Sequence, residues 1–164
     1  AKVDLGGFGK GYLIDKLVSI LQEKYGFKYF LINGGGDIYV TSNHDKEVEL
    51  LLEKPDQEGY YFAKILIKNK ALCCSSPFKR RWVDPRTHKT FSHIINPKKM
   101  PDEISVATYV IADKTFLADA FATAFAAADN RSIISQKAAE KNVDVLFIEN
   151  EKVFKSPNFP EIIF

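Results

Sequence analysis

The sequence predicts an α+β domain in which helices pack on a mostly antiparallel sheet. The main observation is the order of its segments: one helical pattern, seven strand patterns, two helical patterns and a final strand pattern. That order is neither a regular alternation of strands and helices nor an all-β pattern. A length of 164 residues, with 46% hydrophobic and 27% charged residues, suits one globular unit with a buried core. Since no linker or repeat interrupts the chain, residues 1–164 are predicted to form a single domain.

The helices are predicted from apolar residues that recur at helical spacing. The first covers residues 9–25, and Gly26 is well placed to end it. The second follows Asp113, whose side chain can cap it, and continues to about residue 128. The third spans roughly residues 131–141.

The strands are predicted from short runs of β-branched and aromatic residues between turn residues. Residues 76–89 are polar and basic and contain two prolines, so they are predicted to be mostly loop. The predicted strands are residues 29–33, 37–41, 47–53, 61–69, 71–75, 91–97, 105–112 and 143–149.

Composition argues against several kinds of function. A net charge of +2 with scattered lysines argues against nucleic acid as a partner. No apolar run approaches the roughly 20 residues that a membrane-spanning helix needs. Cys73 and Cys74 are adjacent, and neighbours in a strand point to opposite faces, so a disulfide or shared metal ion between them is geometrically awkward.

The glycine-rich stretch VDLGGFGKGYLID, residues 3–15, leads into the first predicted helix. It lacks the Walker A spacing, because Asp4 stands five positions before Gly9 and Lys10 is followed by glycine. It also lacks a preceding strand, which the dinucleotide-binding fingerprint requires. Its glycines, its helix N-terminus and Lys10 nevertheless suit an anion. The stretch is either an anion-binding loop or a plain glycine-rich entry into a helix.

The segment ADAFATAF, residues 118–125, places a carboxylate and a hydroxyl on one helix face. Asp119 and Thr123 are four positions apart and are surrounded by alanines. Oxygen ligands of this kind, with room for phosphates, are typical of Mg²⁺ sites. The alternative is local hydrogen bonding, in which Thr123 donates to the carbonyl of Asp119.

Two further segments are candidates for a site. His93, in SHIINP, is the best-placed group that titrates near neutral pH, although a lone histidine also suits a purely structural role. Residues 33–37, NGGGD, predict a tight hairpin turn with positive φ angles, whose backbone amides are available to a ligand.

These segments occur in an order that resembles the ApbE family, the FAD:protein FMN transferases. The resemblance extends across the whole chain and rests on motifs that are modest singly and specific together. The matching segments are residues 4–12 followed by Asp15, residues 33–38, the alanine-led run 71–81, residues 93–97, residues 118–123, and the closing VDVLFIE and SPNF.

The resemblance implies an ApbE-like (T-fold-like) domain that transfers the FMN half of FAD to a threonine hydroxyl of a target flavoprotein and releases AMP. The reaction depends on Mg²⁺, and Asp119, Thr123 and the backbone of Gly7 match the family's metal ligands. Asp4 and Lys10 match residues that contact FAD. His93 matches the histidine near the flavin phosphates and is the implied base, so His93 and Asp119 are the implied catalytic residues.

The sequence also departs from the family pattern. The resemblance covers the C-terminal half of the family architecture, so we expect a fragment or a short form, completed by an N-terminal half or by a second chain. Residues 96–103, NPKKMPDE, replace the usual turn, with Asn96 in place of aspartate. A non-catalytic flavin-binding module and an FAD pyrophosphatase therefore stay open as alternatives. The compartment also stays open, since the family is mostly exported and membrane-anchored and this sequence shows no export signal.

Overall fold

The computed structural model of the chain describes residues 3–42, 46–96, 98 and 106–163. In these residues the chain is α+β, as the sequence predicts. A short 3-10 turn, Arg131–Ile133, leads directly into the last helix. The helices are α1 (Gly9–Ser19), α2 (Thr115–Ala127) and α3 (Ile134–Glu140), and the strands are β1 (Phe30–Asn33), β2 (Ile38–Thr41), β3 (Val48–Glu53), β4 (Tyr61–Ile67), β5 (Lys70–Ser75), β6 (Arg81–Val83), β7 (Thr90–Ser92), β8 (Ala107–Ala112), β9 (Asp144–Glu149) and β10 (Lys152–Lys155).

Six of the described strands form the main sheet, in the spatial order β1-β2-β5-β8-β9-β10. Every neighbouring pair in this sheet is antiparallel. Strands β3 and β4 form a separate hairpin, inserted in the chain between the paired strands β2 and β5, and β6 and β7 form another. The mostly antiparallel sheet expected from the sequence is therefore confirmed.

The main sheet carries a core on each face. On one face α2 and α3 pack over alternate residues of the central strands, such as Ala71, Cys73 and Val110. On the other face the β3–β4 hairpin packs over the intervening residues, such as Leu72 and Tyr109. Cys73 belongs to the first cluster and Cys74 packs against the second, so the two thiols point to opposite faces as predicted.

The first predicted helix extends beyond α1 as a wider turn. Residues Ile20–Lys24 form a π-helix, in which the amide of residue i+5 donates to the carbonyl of residue i. The Tyr25 amide donates in this way to the Ile20 carbonyl at 3.3 Å. Gly26 then takes a φ of +68°, which glycine adopts without strain, and the helical segment ends there as predicted.

The predicted cap of the second helix is wrong. Lys114, in an extended conformation, occupies the capping position without a side-chain bond, and the Asp113 carboxylate pairs with Lys70 instead. The carboxylate of Asp15 on α1 accepts the backbone amides of Thr115 at 2.8 Å and Phe116 at 3.0 Å. A side chain remote in sequence thus satisfies the N-terminus of α2.

Two further differences from the predicted strands remain. Residues 76–89 are mostly loop as predicted, apart from the short strand β6, but the predicted strand 91–97 is reduced to β7. Strand β10, which pairs with β9, was not predicted. Of the altered turn 96–103 and the predicted strand 105–112, residues 97, 99–103 and 105 lie outside the described residues.

None of the described helices has the length and apolar character needed to cross a membrane.

Candidate functional site

The start of α1 lies across α2, and the two backbones approach closely at Gly11. A Cβ atom built on Gly11 would lie 2.5 Å from the Thr115 carbonyl oxygen and 2.8 Å from the Asp119 Cβ, so only glycine allows this approach. The buried Gly11 amide donates to Asp119 Oδ2 at 2.9 Å. The contact joins two of the motifs singled out in the sequence, which are separated by 108 residues.

Gly7 lies against Thr123, one helical turn further along α2. A Cβ built on Gly7 would lie 3.5 Å from Thr123 Cγ2 and 3.9 Å from its Oγ1. The Thr123 hydroxyl shares a hydrogen bond of 3.0 Å with Ser75 Oγ at the end of β5. The structure therefore brings together Gly7, Asp119 and Thr123, and it adds Ser75, which the sequence did not single out.

Lys10 and Asp37 form an ion pair next to this contact. Lys10 Nζ lies 3.0 Å from Asp37 Oδ2 and 3.5 Å from the Gly35 carbonyl oxygen. Asp37 is only 1% exposed, and burial raises the pKa of its carboxyl group. The charge of Asp119 raises that pKa further, while Lys10 lowers it. The ion pair therefore places Asp37 beside the first turn of α1, which carries Lys10.

From the sequence, Asp37 was interpreted as part of the NGGGD turn and was not predicted to be a site residue. The signal available was its position, an acidic residue that begins a predicted strand immediately after three glycines. The turn itself has the predicted form, with φ values of +77° at Gly35 and +101° at Gly36. Both of their amides donate to Asn33 Oδ1, at 3.1 and 2.9 Å.

Asp4 shapes the glycine-rich loop from within. Its Oδ1 accepts the Gly6 amide at 2.7 Å, and the Leu5 carbonyl accepts the amides of Phe8 and Gly9 as α1 begins. Asp4 is exposed, so its side chain is accessible to a ligand at the loop.

His93 has a different hydrogen-bond partner from these residues. Its side chain is exposed, and both its backbone amide and its ring Nδ1 lie within hydrogen-bonding distance of the Arg80 carbonyl, at 3.2 and 3.3 Å. Within the described part of the chain, no hydrogen bond joins His93 to Asp4, Lys10, Asp119 or Thr123. The structure therefore does not place His93 in direct contact with the other predicted site residues.

The segment after His93 is nevertheless attached to the end of α2. Ile94 packs against Ala126, and Asn96 Nδ2 donates to the Ala127 carbonyl at 2.7 Å. Asn96 also contacts the carboxylate of Asp129. An ionised aspartate at position 96 has no hydrogen to donate to these oxygens, so this contact requires the asparagine amide.

The oxygen atoms at the α1–α2 contact suit a hard cation. Asp119 is 6% exposed and offers a carboxylate, Thr123 offers a hydroxyl, and the backbone of Gly7 lies against Thr123. One or two protein oxygens, completed by phosphate and water, are the usual surroundings of Mg²⁺. No group of three His, Cys, Asp or Glu side chains suited to a metal occurs among the described residues. Any ion held here would therefore need hydroxyl, carbonyl or ligand oxygens.

The family model named "ApbE family" matches residues 1–147 of the sequence. The chain belongs to the ApbE family. This confirms the resemblance drawn from the order of the motifs. Among curated proteins, none matches the sequence significantly.

Solved structures of ApbE proteins share the fold. The Thermotoga maritima ApbE protein superposes with a TM-score of 0.81 at 20% identity, covering 96% of this chain and 52% of its own. Apo Pseudomonas stutzeri flavinyl transferase ApbE gives a TM-score of 0.73 at 16% identity, covering 95% of this chain and 50% of its own. Vibrio cholerae flavin transferase ApbE gives 0.67 at 23% identity, covering 96% and 51%. The chain thus spans about half the length of these ApbE structures.

Proposed function

We propose that this ApbE chain forms the phosphate- and metal-binding part of an FAD:protein FMN transferase. The reaction moves FMN from FAD to a threonine hydroxyl of a target flavoprotein, with release of AMP and dependence on Mg²⁺. The proposal rests on membership of the ApbE family and on the names of the Pseudomonas stutzeri and Vibrio cholerae proteins, which are flavin transferases.

The observation that carries the proposal is the buried hydrogen bond from the Gly11 amide to Asp119. It fixes the N-terminus of α1, the helix that carries Lys10, against the carboxylate of Asp119 on α2. Helix N-termini and lysines attract phosphate oxygens, whereas Asp119 and Thr123 attract a hard cation. Anion-binding groups on α1 next to cation-binding groups on α2 suit the pyrophosphate of FAD with its metal ion better than they suit an uncharged ligand.

Each group then has a distinct task in the transfer. The first turn of α1 and Lys10 bind the pyrophosphate and offset its negative charge. Asp119, Thr123 and the Gly7 carbonyl are the residues that would hold Mg²⁺, which supplies further charge neutralisation at the phosphates. His93 accepts the proton of the acceptor threonine as its oxygen bonds to the FMN phosphorus. The phosphorus–oxygen bond to AMP breaks in the same exchange.

We also propose that further polypeptide completes the flavin site. Tyr12, Leu13, Leu17 and Ile20 on the α1 segment are each close to half exposed or more, which is unusual for large apolar side chains side by side on one helix. The ApbE structures contain about as much additional chain again. Such a segment would bind the isoalloxazine and adenine rings.

The test is to incubate the chain, together with the further polypeptide proposed to complete the flavin site, with FAD, Mg²⁺ and a peptide that contains an acceptor threonine. Mass spectrometry of the peptide and chromatography of the nucleotides then distinguish the possible activities. Covalent FMN on the peptide together with AMP is the expected result. Free FMN and AMP without labelled peptide would instead indicate an FAD pyrophosphatase, and FAD binding without turnover would indicate a non-catalytic flavin-binding module.

A further inference from the structure

Strands β6 and β7 form a hairpin of their own, and we name residues 80–93 the basic arm. In the described chain β6 pairs only with β7, and all three of its residues are exposed. The outer edges of both strands therefore leave backbone groups available to another extended segment. Among the described strands, neither β6 nor β7 pairs with a third strand.

Two aromatic rings stack across the arm. Trp82 and Phe91 are cross-strand partners, with ring centroids 6.1 Å apart and planes inclined by 16°. Trp82 remains 54% exposed and its neighbour Val83 57% exposed. An exposed tryptophan on a preformed strand pair is typical of a contact point for a partner.

The same arm carries three exposed guanidinium groups. Arg80 and Arg81 lie at its base and Arg86 lies in its turn. The described carboxylates form no ion pair with any of the three. Asp84, the acidic residue of the arm, accepts the backbone amide of Arg86 at 2.8 Å and holds the turn in place. The arm therefore presents positive charge around an aromatic centre.

The arm ends at His93. The amide and ring of His93 are held at the Arg80 carbonyl, so the last residue of the arm is fixed against its first. A segment bound along the arm would lead directly to the His93 imidazole. This is where the proposed transfer requires the acceptor threonine.

We propose that the basic arm is the docking surface for an acidic, extended segment of the flavin-acceptor protein. The charge of the arm is complementary to aspartate and glutamate, its free strand edges suit an added strand, and Trp82 supplies an apolar anchor. The four lysine and arginine side chains of the arm, on a chain with a net charge of only +2, are few for nucleic acid, whose binding depends on many phosphate contacts. The proposal rests on the transferase function for the identity of the partner.

The test measures the binding of two fluorescein-labelled peptides by anisotropy, in the absence of FAD and at low ionic strength. One peptide has a threonine flanked by aspartates and glutamates, and the other has lysines at those positions. We expect only the acidic peptide to bind. The Arg81→Glu/Arg86→Glu variant should weaken that binding at least about tenfold, and Trp82→Ser should weaken it as well. Equal binding of both peptides would overturn the proposal.

Lys141→Glu/Lys152→Glu is the matched control, because both lysines are exposed, lie outside the arm and give the same change in net charge. This control should leave the affinity within about twofold of the original. An equal loss of affinity in both double variants would mean a general effect of net charge and would overturn the proposal. Tighter binding of a single-stranded oligothymidine probe than of the acidic peptide would also overturn it. If thermal unfolding shows that Arg81→Glu/Arg86→Glu is not folded, Arg81→Gln/Arg86→Gln replaces it, with Lys141→Gln/Lys152→Gln as the control of equal charge change.

The result does not depend on catalysis, because peptide binding is measured without flavin. If acidic-peptide binding is lost in the arm variants but no peptide is ever flavinylated, the docking surface stands and the transferase proposal fails. If flavinylation occurs with the same KM for the acidic peptide in the original chain and the arm variants, the docking surface is wrong and the transferase proposal stands.

Discussion

At the scale of single residues, Gly11 is where the glycine-rich loop meets α2. A methyl group there would overlap the Thr115 carbonyl and the Asp119 side chain. We expect Gly11→Ala to lower the free energy of unfolding by about 1–3 kcal/mol, the usual cost of overpacking. Denaturant unfolding followed by circular dichroism measures the change.

Gly9→Ala is the control for that substitution. A Cβ at Gly9 would meet Leu5 Cβ at 3.4 Å, an ordinary contact, and alanine favours the helix that Gly9 begins. We expect Gly9→Ala to be neutral or stabilising by up to about 1 kcal/mol. If both variants lost the same stability, the close approach at Gly11 would not be the cause.

Asp119 is the residue through which the proposed metal site is tested most directly. We expect Asp119→Ala to abolish Mg²⁺-dependent FAD binding, because it removes the carboxylate charge and the acceptor of the Gly11 amide. Isothermal titration of FAD with and without Mg²⁺ measures this.

Asp119→Asn separates the two effects. The asparagine oxygen still accepts the Gly11 amide but carries no charge, so the fold should persist while the Mg²⁺ dependence is lost. Unchanged Mg²⁺-dependent binding in the asparagine variant would show that Asp119 holds no metal.

At the scale of secondary structure, α2 depends on a capping residue that belongs to α1. Asp15 accepts two amides at the start of α2, so Asp15→Ala should cost about 0.5–2 kcal/mol of stability, as loss of a helix cap usually does. Asp113→Ala removes only an exposed ion pair with Lys70 and should cost less than about 1 kcal/mol. Thermal unfolding of the two variants compares them. Equal losses would contradict the assignment of the cap to Asp15.

Secondary structure also explains why one helix cap and two strands were not predicted from the sequence. The cap at Asp15 could not be predicted because the spacing of residues along the chain does not reveal a contact between segments 100 residues apart. Strand β6 is short and all its side chains are exposed, so it lacks the alternation of buried and exposed residues that signals a strand. Strand β10 is exposed along its whole length and is missed for the same reason.

At the scale of the whole molecule, the layers packed on the two faces of the sheet cover the two thiols, Cys73 on one face and Cys74 on the other. Burial raises the pKa of Cys74 to about 12 and, with the nearby charges of Asp37 and Asp119, raises the pKa of Cys73 well above its usual range. The reactive thiolate is therefore scarce. We expect iodoacetamide at about pH 8 to modify neither cysteine in the folded protein and both in concentrated guanidinium chloride.

Mass spectrometry of alkylated samples over time checks this. Cys73 faces the helices and Cys74 faces the β3–β4 hairpin, so each thiol reports the opening of one layer. Rapid modification of Cys74 alone in the native protein would mean that the hairpin layer opens independently of the helices.

The sequence predicts the fold class and most strands because the central strands are long apolar runs whose burial determines their structure. For the candidate site, helical spacing alone places Asp119 and Thr123 on one face of α2. Spacing does not reveal that Gly7 and Gly11 reach that face, that Ser75 bonds to Thr123, or that Asp37 pairs with Lys10, because these are contacts between distant segments. The position of His93 beyond a short strand was unpredictable for the same reason.

The hydrogen bond between Gly11 and Asp119 also has a consequence for the order of folding. It closes a loop of 108 residues, and the adjacent capping contact closes one of 100 residues. Contacts between residues so far apart in sequence carry a large entropic cost and form slowly. The hairpins β1–β2, β3–β4 and β9–β10 can form early, since each is local. The phosphate- and cation-binding surface is thus expected to be among the last features to assemble, and a partly folded chain would have a sheet but no site.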